Sequence, residues 1–257
     1  MIDIHAHILP SVDDGPSSME EAMQMARLAY EDGIKMMVAT PHNRDVAGTS
    51  SSSTVRSLVN QMNQHLESEG VDFRVLLGME NHLEMDIPEQ LEKGMAIPIE
   101  NTHYILIELP FEVYPFYTDD VLFQIQLSGL RPIIVHPERT NAIQDNPQIL
   151  VDLIAKGALS QITSDSIVGR FGKSVEKFTK EILKRNLVHI IASDCHTAYG
   201  SRKPIISPGL HAAAKVVGHA AAEMMVNEIP DAVVHDRRLD VDDLPKAAKR
   251  GIWAFLS

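Results

Sequence analysis

The sequence predicts an α/β fold in which seven strand–helix units form a parallel sheet, closed or wound by right-handed crossovers. Three observations carry this expectation. Short apolar runs alternate with longer segments of helical periodicity along most of the chain. The runs are almost continuous in Val, Ile and Leu, as strands are when both faces are covered. The length of 257 residues suits a single α/β barrel, which takes about 250.

The first strand is expected at residues 2–5. Ser17 reads as a helix N-cap with Glu20 three positions on, a capping box. The helix then runs to about Asp32 with Ala22, Met25, Ala26 and Ala29 on its apolar stripe, and Gly33 closes it. A second strand spans 35–40, and a polar loop spans 48–54. A helix at 54–69 places Val55, Leu58, Val59, Met62 and Leu66 on one face. The third strand, 73–80, precedes a short helix at 88–93. The fourth, 104–109, precedes a helix at 117–128, and the fifth, 132–136, a helix at 147–156. The sixth, 159–163, precedes a helix at 175–185, and the seventh spans 188–193. Two or three helices follow between 208 and 235, then a basic and aromatic tail with Lys246, Lys249, Arg250, Trp253 and Phe255. No domain linker interrupts this order, so residues 1–257 read as one domain, with helices and a tail over the last fifty or so.

Composition narrows the function. Hydrophobic residues make up 44% of the chain, which is ordinary for a globular protein. No apolar run approaches the ~20 residues of a membrane span, and no signal peptide is recognisable. The single cysteine rules out an internal disulfide framework and suits the cytoplasm. A net charge of −12 without a basic stripe argues against nucleic acid as a partner.

The chemistry collects where strands end. His5 and His7 form an H-x-H pair, and residues two apart in extended backbone share a face. His42, Glu80, Glu108, His136, Asp194 and His196 fall at or just past the ends of five further strands, and Asp14 lies in the first loop. Only the sixth strand lacks such a group. The C-terminal strand ends build the site in α/β barrels. Imidazoles and carboxylates without thiolate suit Mn, Fe or Zn. Nine ligands exceed what one ion needs, so the expectation is a site with more than one metal.

The motifs H-x-H at 5–7, T-P-H at 40–42, G-M-E at 78–80, H-P-E-R at 136–139 and S-D-C-H at 193–196 resemble the PHP (polymerase and histidinol phosphatase) domain. The stretches 3–15, 104–111 and 160–164 look closer to one branch of it. That branch is the manganese-dependent tyrosine-protein phosphatases of bacterial capsule and exopolysaccharide operons, the CpsB/CapC/YwqE group. The acids Asp14 and Glu108 stand where many PHP proteins carry His, which favours this branch. The resemblance extends to about residue 203. It implies a distorted seven-stranded TIM-like (β/α)7 barrel, the PHP fold, with two or three divalent ions, Mn foremost and Fe or Zn possible. By motif position one metal would take His5, His7, Glu80 and Asp194. A second would take Asp14, His42 and His196, and a third Glu108, His136 and a shared Glu80.

The implied activity is hydrolysis of phosphotyrosine by a metal-activated hydroxide. The implied partner is a tyrosine autokinase of a polysaccharide export complex, with homo-oligomerisation possible. Arg139 and Arg202, beside ligand motifs, would bind the phosphoryl group. Histidinol phosphatase is the alternative; a nuclease or a non-catalytic scaffold fits less well. His189 reads as core. His65, His82, His103, His211, His219 and His235 read as surface or structural, and Asp13 as a turn residue. Asp165 is a possible pocket residue. Cys195 begins C-x6-R, one residue longer than the C-x5-R loop of cysteine-dependent tyrosine phosphatases, so it is not expected to be a nucleophile.

Overall fold

Every strand lies parallel to its neighbours, as the alternating pattern requires. The computed structural model describes residues 1–49, 52–240 and 243–246. Strands β1 (Ile2–Ala6), β2 (Met36–Ala39) and β3 (Arg74–Leu77) form one sheet in that order. Strands β4 (Glu80–His82), β5 (Tyr104–Glu108), β6 (Arg131–Val135), β7 (Leu159–Thr163) and β8 (Ile190–Ala192) form the other, also in order.

This corrects the expected seven-stranded barrel: there are eight strands in two sheets, and no continuous ladder closes around them among the described residues. The extra strand comes from a break in the expected third one. β3 pairs with β2, whereas β4 pairs with β5. The break falls at Gly78 and Met79, where the chain leaves one partner for the next. Gly78 runs so close to β2 that a Cβ there would meet Val38 Cγ1 at 2.7 Å, a close approach that only glycine permits. Isolated bridges pair His42 with Glu80 and Ala6 with Cys195 across the two gaps between the sheets.

The helices follow the expected order. α1 (Met19–Glu31) is capped by Ser18, whose side chain accepts from the Glu21 N–H, rather than by Ser17. The sequence holds two overlapping Ser-x-x-Glu registers, and burial of Ala22, Met25, Ala26 and Ala29 selects the later one. Ser17 instead donates its N–H to Glu21 at 3.1 Å. α2 (Asn43–Thr49) and α3 (Ser52–Ser68) occupy most of the expected polar loop. Weak helix formers are held there by the buried stripe Val55, Val59, Met62 and Leu66. α4 (Ile87–Glu92) and α5 (Thr118–Leu127) flank β5. A 3-10 turn (Pro137–Arg139), α6 (Asn141–Asp145) and α7 (Gln148–Ala155) follow β6. α8 (Ser164–Ile167) and α9 (Lys173–Lys184) follow β7. The last three helices are α10 (Ser207–Val217), α11 (His219–Met224) and α12 (Glu228–Val234). Lys249, Arg250, Trp253 and Phe255 of the tail lie outside the described residues.

The apolar core has two parts. The larger joins the helices to the sheets, with Met25, Met37, Met62, Ile107, Ile134 and Ile182 fully buried. The smaller joins strand residues of both sheets, Ile4, Val38, Leu106, Ile133, Leu159 and Ile190, with Ile229 and Val233 of α12 packed on them. Leu106 and Ile133 face this second part while Ile107 and Ile134 face the first, the period-two alternation of a strand covered on both sides.

His189 is buried just before β8 and its Nδ1 accepts the Ser160 N–H at 2.9 Å. Burial, helped by the Arg131 charge, lowers its pKa to about 4, against about 6.5 in an unfolded chain. The folded value is the lower one. The contribution of this group to stability is therefore complete above the unfolded pKa and is lost as pH falls toward about 4. His189→Gln cannot titrate, and should remove up to about 3 kcal/mol of the acid destabilisation across that window. Urea midpoints of the two proteins at pH 7 and pH 4.5 measure this.

Candidate metal centre

The nine sequence-selected donors meet at one rim, and a single carboxylate lies at their centre. Glu80 opens β4 fully buried. Its Oε2 stands 3.3 Å from His5 Nε2, 3.2 Å from His7 Nε2 and 3.0 Å from His42 Nδ1. Its Oε1 meets His136 Nε2 at 2.8 Å. The H-x-H pair does share a side, with the two Nε2 atoms 3.4 Å apart. Asp14 reaches in from the first loop to 3.1 Å from His196 Nε2 and 3.5 Å from His42 Nε2. Glu108, at the end of β5, lies 3.8 Å from His136 Nε2.

Three donor groups have ligand atoms within 4.8 Å of one another: His7, Asp14, His42 and His196; His5, His7 and Glu80; His42, Glu80 and Glu108. These differ from the grouping implied by motif position in two ways. His7 and His42 each belong to two groups. Asp194 and His136 are in none of the three, although Asp194 Oδ1 lies 3.7 Å from His5 Nε2 and 3.6 Å from His7 Nε2; the Asp194 oxygens also meet Arg139 Nη1 at 2.8 Å and Arg202 Nη2 at 2.9 Å. Both arginines thus reach the rim, as the sequence suggested, and there they hold a carboxylate. His136, Asp194 and Arg202 all have left-handed backbone, with φ of 33°, 51° and 58°. Such conformations are costly for residues with a Cβ and cluster at functional sites.

Behind the donors stands a layer of partners that the sequence did not reveal. Asp13 Oδ2 lies 2.6 Å from His7 Nδ1 and also accepts the His42 N–H. Asp13 is therefore an orienting group rather than only a turn residue. Gln161 Oε1, mid-strand in β7, bonds His5 Nδ1 at 2.9 Å. His82, expected to be surface or structural, holds Glu108 Oε2 at 2.9 Å. A partner on one ring nitrogen fixes the tautomer and aims the other at the rim. For Asp13 the only sequence signal was its position beside Asp14. A glutamine inside a strand gives none.

The charges set how strongly each donor holds a proton. Burial opposes protonation of His7, but Asp13 and Glu80 carry it up to about 9. Burial likewise opposes His42, and Asp14 and Glu80 carry it up to about 11. Burial would raise Glu80, yet the imidazoles of His5, His136 and His42 hold it well below its usual range. His196 moves the other way, lowered by burial and by the facing His7. Buried His136 Nδ1 has no hydrogen-bond partner, and His196 Nε2 has the Asp14 carboxylate 3.1 Å away. Imidazoles and carboxylates, buried, close together and partly unpartnered, are a donor set that a divalent cation fits once the protons leave.

Two remaining candidates resolve differently. Asp165 lies beside the arginines: it pairs with Arg170 at 3.4 Å and takes a backbone hydrogen bond from Arg202. Cys195 is fully buried in the apolar core, where burial pushes its thiol well above the ordinary value. That environment disfavours the thiolate a nucleophile needs.

The chain resembles known proteins along most of its length. The profile of a family described as capsular polysaccharide synthesis, CpsB/CapC, matches residues 1–235. The tyrosine-protein phosphatase YwqE of Bacillus subtilis is 40% identical over 196 residues, 76% of this chain and 77% of that protein. A putative tyrosine-protein phosphatase, CapC of Staphylococcus aureus, is 36% identical over 197 residues, 77% of each chain. Among solved structures, one from a study of YwqE from Bacillus subtilis and CpsB from Streptococcus pneumoniae, described as unique metal-dependent tyrosine phosphatases, superposes with a TM-score of 0.88. It shares 35% identity and covers 97% of this chain and 100% of the other.

Because Asp13 aims His7, Asp13→Asn should leave the fold intact and weaken Mn2+ binding by about 10- to 100-fold. Titration calorimetry of the two proteins checks this, with unchanged affinity as the contrary result.

Proposed function

The chain belongs to the CpsB/CapC family of capsular polysaccharide synthesis proteins, and we propose on that premise that it is a metal-dependent protein-tyrosine phosphatase. The observation that carries the proposal is the meeting, at one rim, of buried imidazole and carboxylate donors with two arginines. The names of its relatives agree with it.

His5, His7, Asp14, His42, Glu80, Glu108, His136, Asp194 and His196 would hold two or three divalent ions. Mn is the first candidate, and Fe or Zn suits the same donors. Such ions, when bound, lower the pKa of water and neutralise phosphate oxygens. The chain's own part is to position. Asp13, Gln161 and His82 fix the rings and carboxylate that face the rim. Arg139 and Arg202 present planar N–H edges where the phosphoryl group would sit, a geometry suited to phosphate oxygens. The departing tyrosine has a pKa of about 10, so it leaves with less help from an acid than an alkyl alcohol needs. The two sheets are read as halves of one distorted barrel, supported by the bridges at Ala6–Cys195 and His42–Glu80, and residues 1–257 as a single domain. The proposed partner is a phosphotyrosine-bearing autokinase of a polysaccharide export complex, met in the cytoplasm by a possible homo-oligomer. No described helix is long and apolar enough to cross a membrane.

His42→Ala and Glu80→Ala should abolish turnover of a phosphotyrosine peptide with the circular dichroism spectrum retained. Arg139→Ala or Arg202→Ala should lower kcat/KM roughly ten- to a hundredfold, the worth of a charged hydrogen bond, with metal content unchanged. Full activity after exhaustive chelation would overturn the proposal. Faster turnover of histidinol phosphate than of phosphotyrosine would move the assignment to the small-molecule phosphatases.

A further inference from the structure

Of the loops that follow the expected strands, the one after β7 brings no candidate metal donor to the rim. It reaches the arginines instead. Asp165 takes the backbone hydrogen bond from Arg202, and six residues later the Phe171 ring lies under Arg139. The guanidinium carbon of Arg139 is 4.7 Å from the Phe171 ring centroid and 4.8 Å from that of Phe111. Both distances are within the range of cation–π attraction.

Each ring is held by its own chain segment. Phe111 follows the end of β5. Its carbonyl accepts the Asn141 N–H at 2.7 Å, which ties it to the segment just beyond Arg139, and its ring lies 5.5 Å from that of His136. Phe171 sits between Gly169 and Gly172, whose φ values of 84° and 96° turn the chain back toward the rim.

The chemistry of the contact matters. A carboxylate that positions an arginine occupies N–H donors that a phosphate would need. An aromatic face attracts the cation and consumes no donor. It also restrains a long side chain that otherwise loses about 2 kcal/mol of rotamer entropy when ordered. Arg139 keeps its donors at the edge, one of them now on Asp194.

We infer that Phe111 and Phe171 are positioning residues for Arg139, holding its guanidinium by their ring faces so that the N–H donors not engaged by Asp194 stay free for the phosphoryl group. The inference rests on the phosphatase reading and on Arg139 binding phosphate. It locates part of phosphate recognition in two aromatic residues whose side chains carry neither a hydrogen-bonding group nor a metal ligand.

The test uses the full-length protein loaded with Mn2+, in the variants Phe171→Leu, Phe111→Leu, Phe171→Tyr and Arg139→Ala and the double variant Phe171→Leu/Arg139→Ala. Inhibition by inorganic phosphate is measured beside kcat and KM on a phosphotyrosine peptide. Phe171→Leu should weaken both phosphate inhibition and KM about three- to thirtyfold with metal content and melting temperature retained, and Phe171→Tyr should restore them. In the Arg139→Ala background Phe171→Leu should add no further loss. Normal phosphate inhibition in both Leu variants, with Arg139→Ala impaired, overturns the inference and leaves the phosphatase reading standing. A loss that persists undiminished in the Arg139→Ala background, or that spares inorganic phosphate, overturns it in favour of ring contact with the substrate's phenol. Wild-type phosphate inhibition in Arg139→Ala overturns the role of Arg139 itself. If Phe171→Leu fails to fold, Phe111→Leu carries the same comparison.

Discussion

A carboxylate buried away from water is stable only when positive charge and hydrogen bonds surround it, and the rim is built around one such group. Glu80 meets four imidazoles from three separate parts of the chain: the end of β1, the segment after β2 and the residue after β6. Its placement depends on the break between β3 and β4. A strand continuing on β2 would keep its hydrogen bonds to that side. By changing partners at residues 78–79 the chain sets Glu80 between His42 and Leu106, paired to both sides. The close passage of Gly78 against Val38 is part of the same device.

Around that centre the structure uses two kinds of restraint. Hydrogen bonds hold the donors: Asp13 to His7, Gln161 to His5, His82 to Glu108. Each occupies the atom that does not face the rim. The arginines are held otherwise, by Asp194, by the Asp165 carboxylate at the Arg202 backbone and by aromatic faces. Asp194 is the point where the two systems meet. It lies 3.6–3.7 Å from His7, His5 and His196 while carrying both guanidinium groups. Burial would raise its pKa, but His5 and Arg202 keep it far below the usual carboxylate range. The left-handed backbone at His136, Asp194 and Arg202 marks strain at these same residues.

The sequence by itself determined the α/β class, the order of strands and helices, and the residues that gather at the rim. Those features repeat locally. Apolar runs such as residues 104–109 and 159–163 declare buried strands, and His5, His42, Glu80 and His136 declare themselves by standing where such runs stop. Packing in three dimensions decided the rest. The choice between Ser17 and Ser18 as cap turned on which helix face was buried. The split into two sheets turned on contacts between strands far apart in the chain. Gln161, His82, Phe111 and Phe171 carry no local signal, because each acts on a residue reached only through the fold; Gln161 and its partner His5 are 156 positions apart. Periodicity is a property of neighbours along the chain, whereas the aim of an imidazole or a guanidinium is set by whatever group the fold brings against its other side.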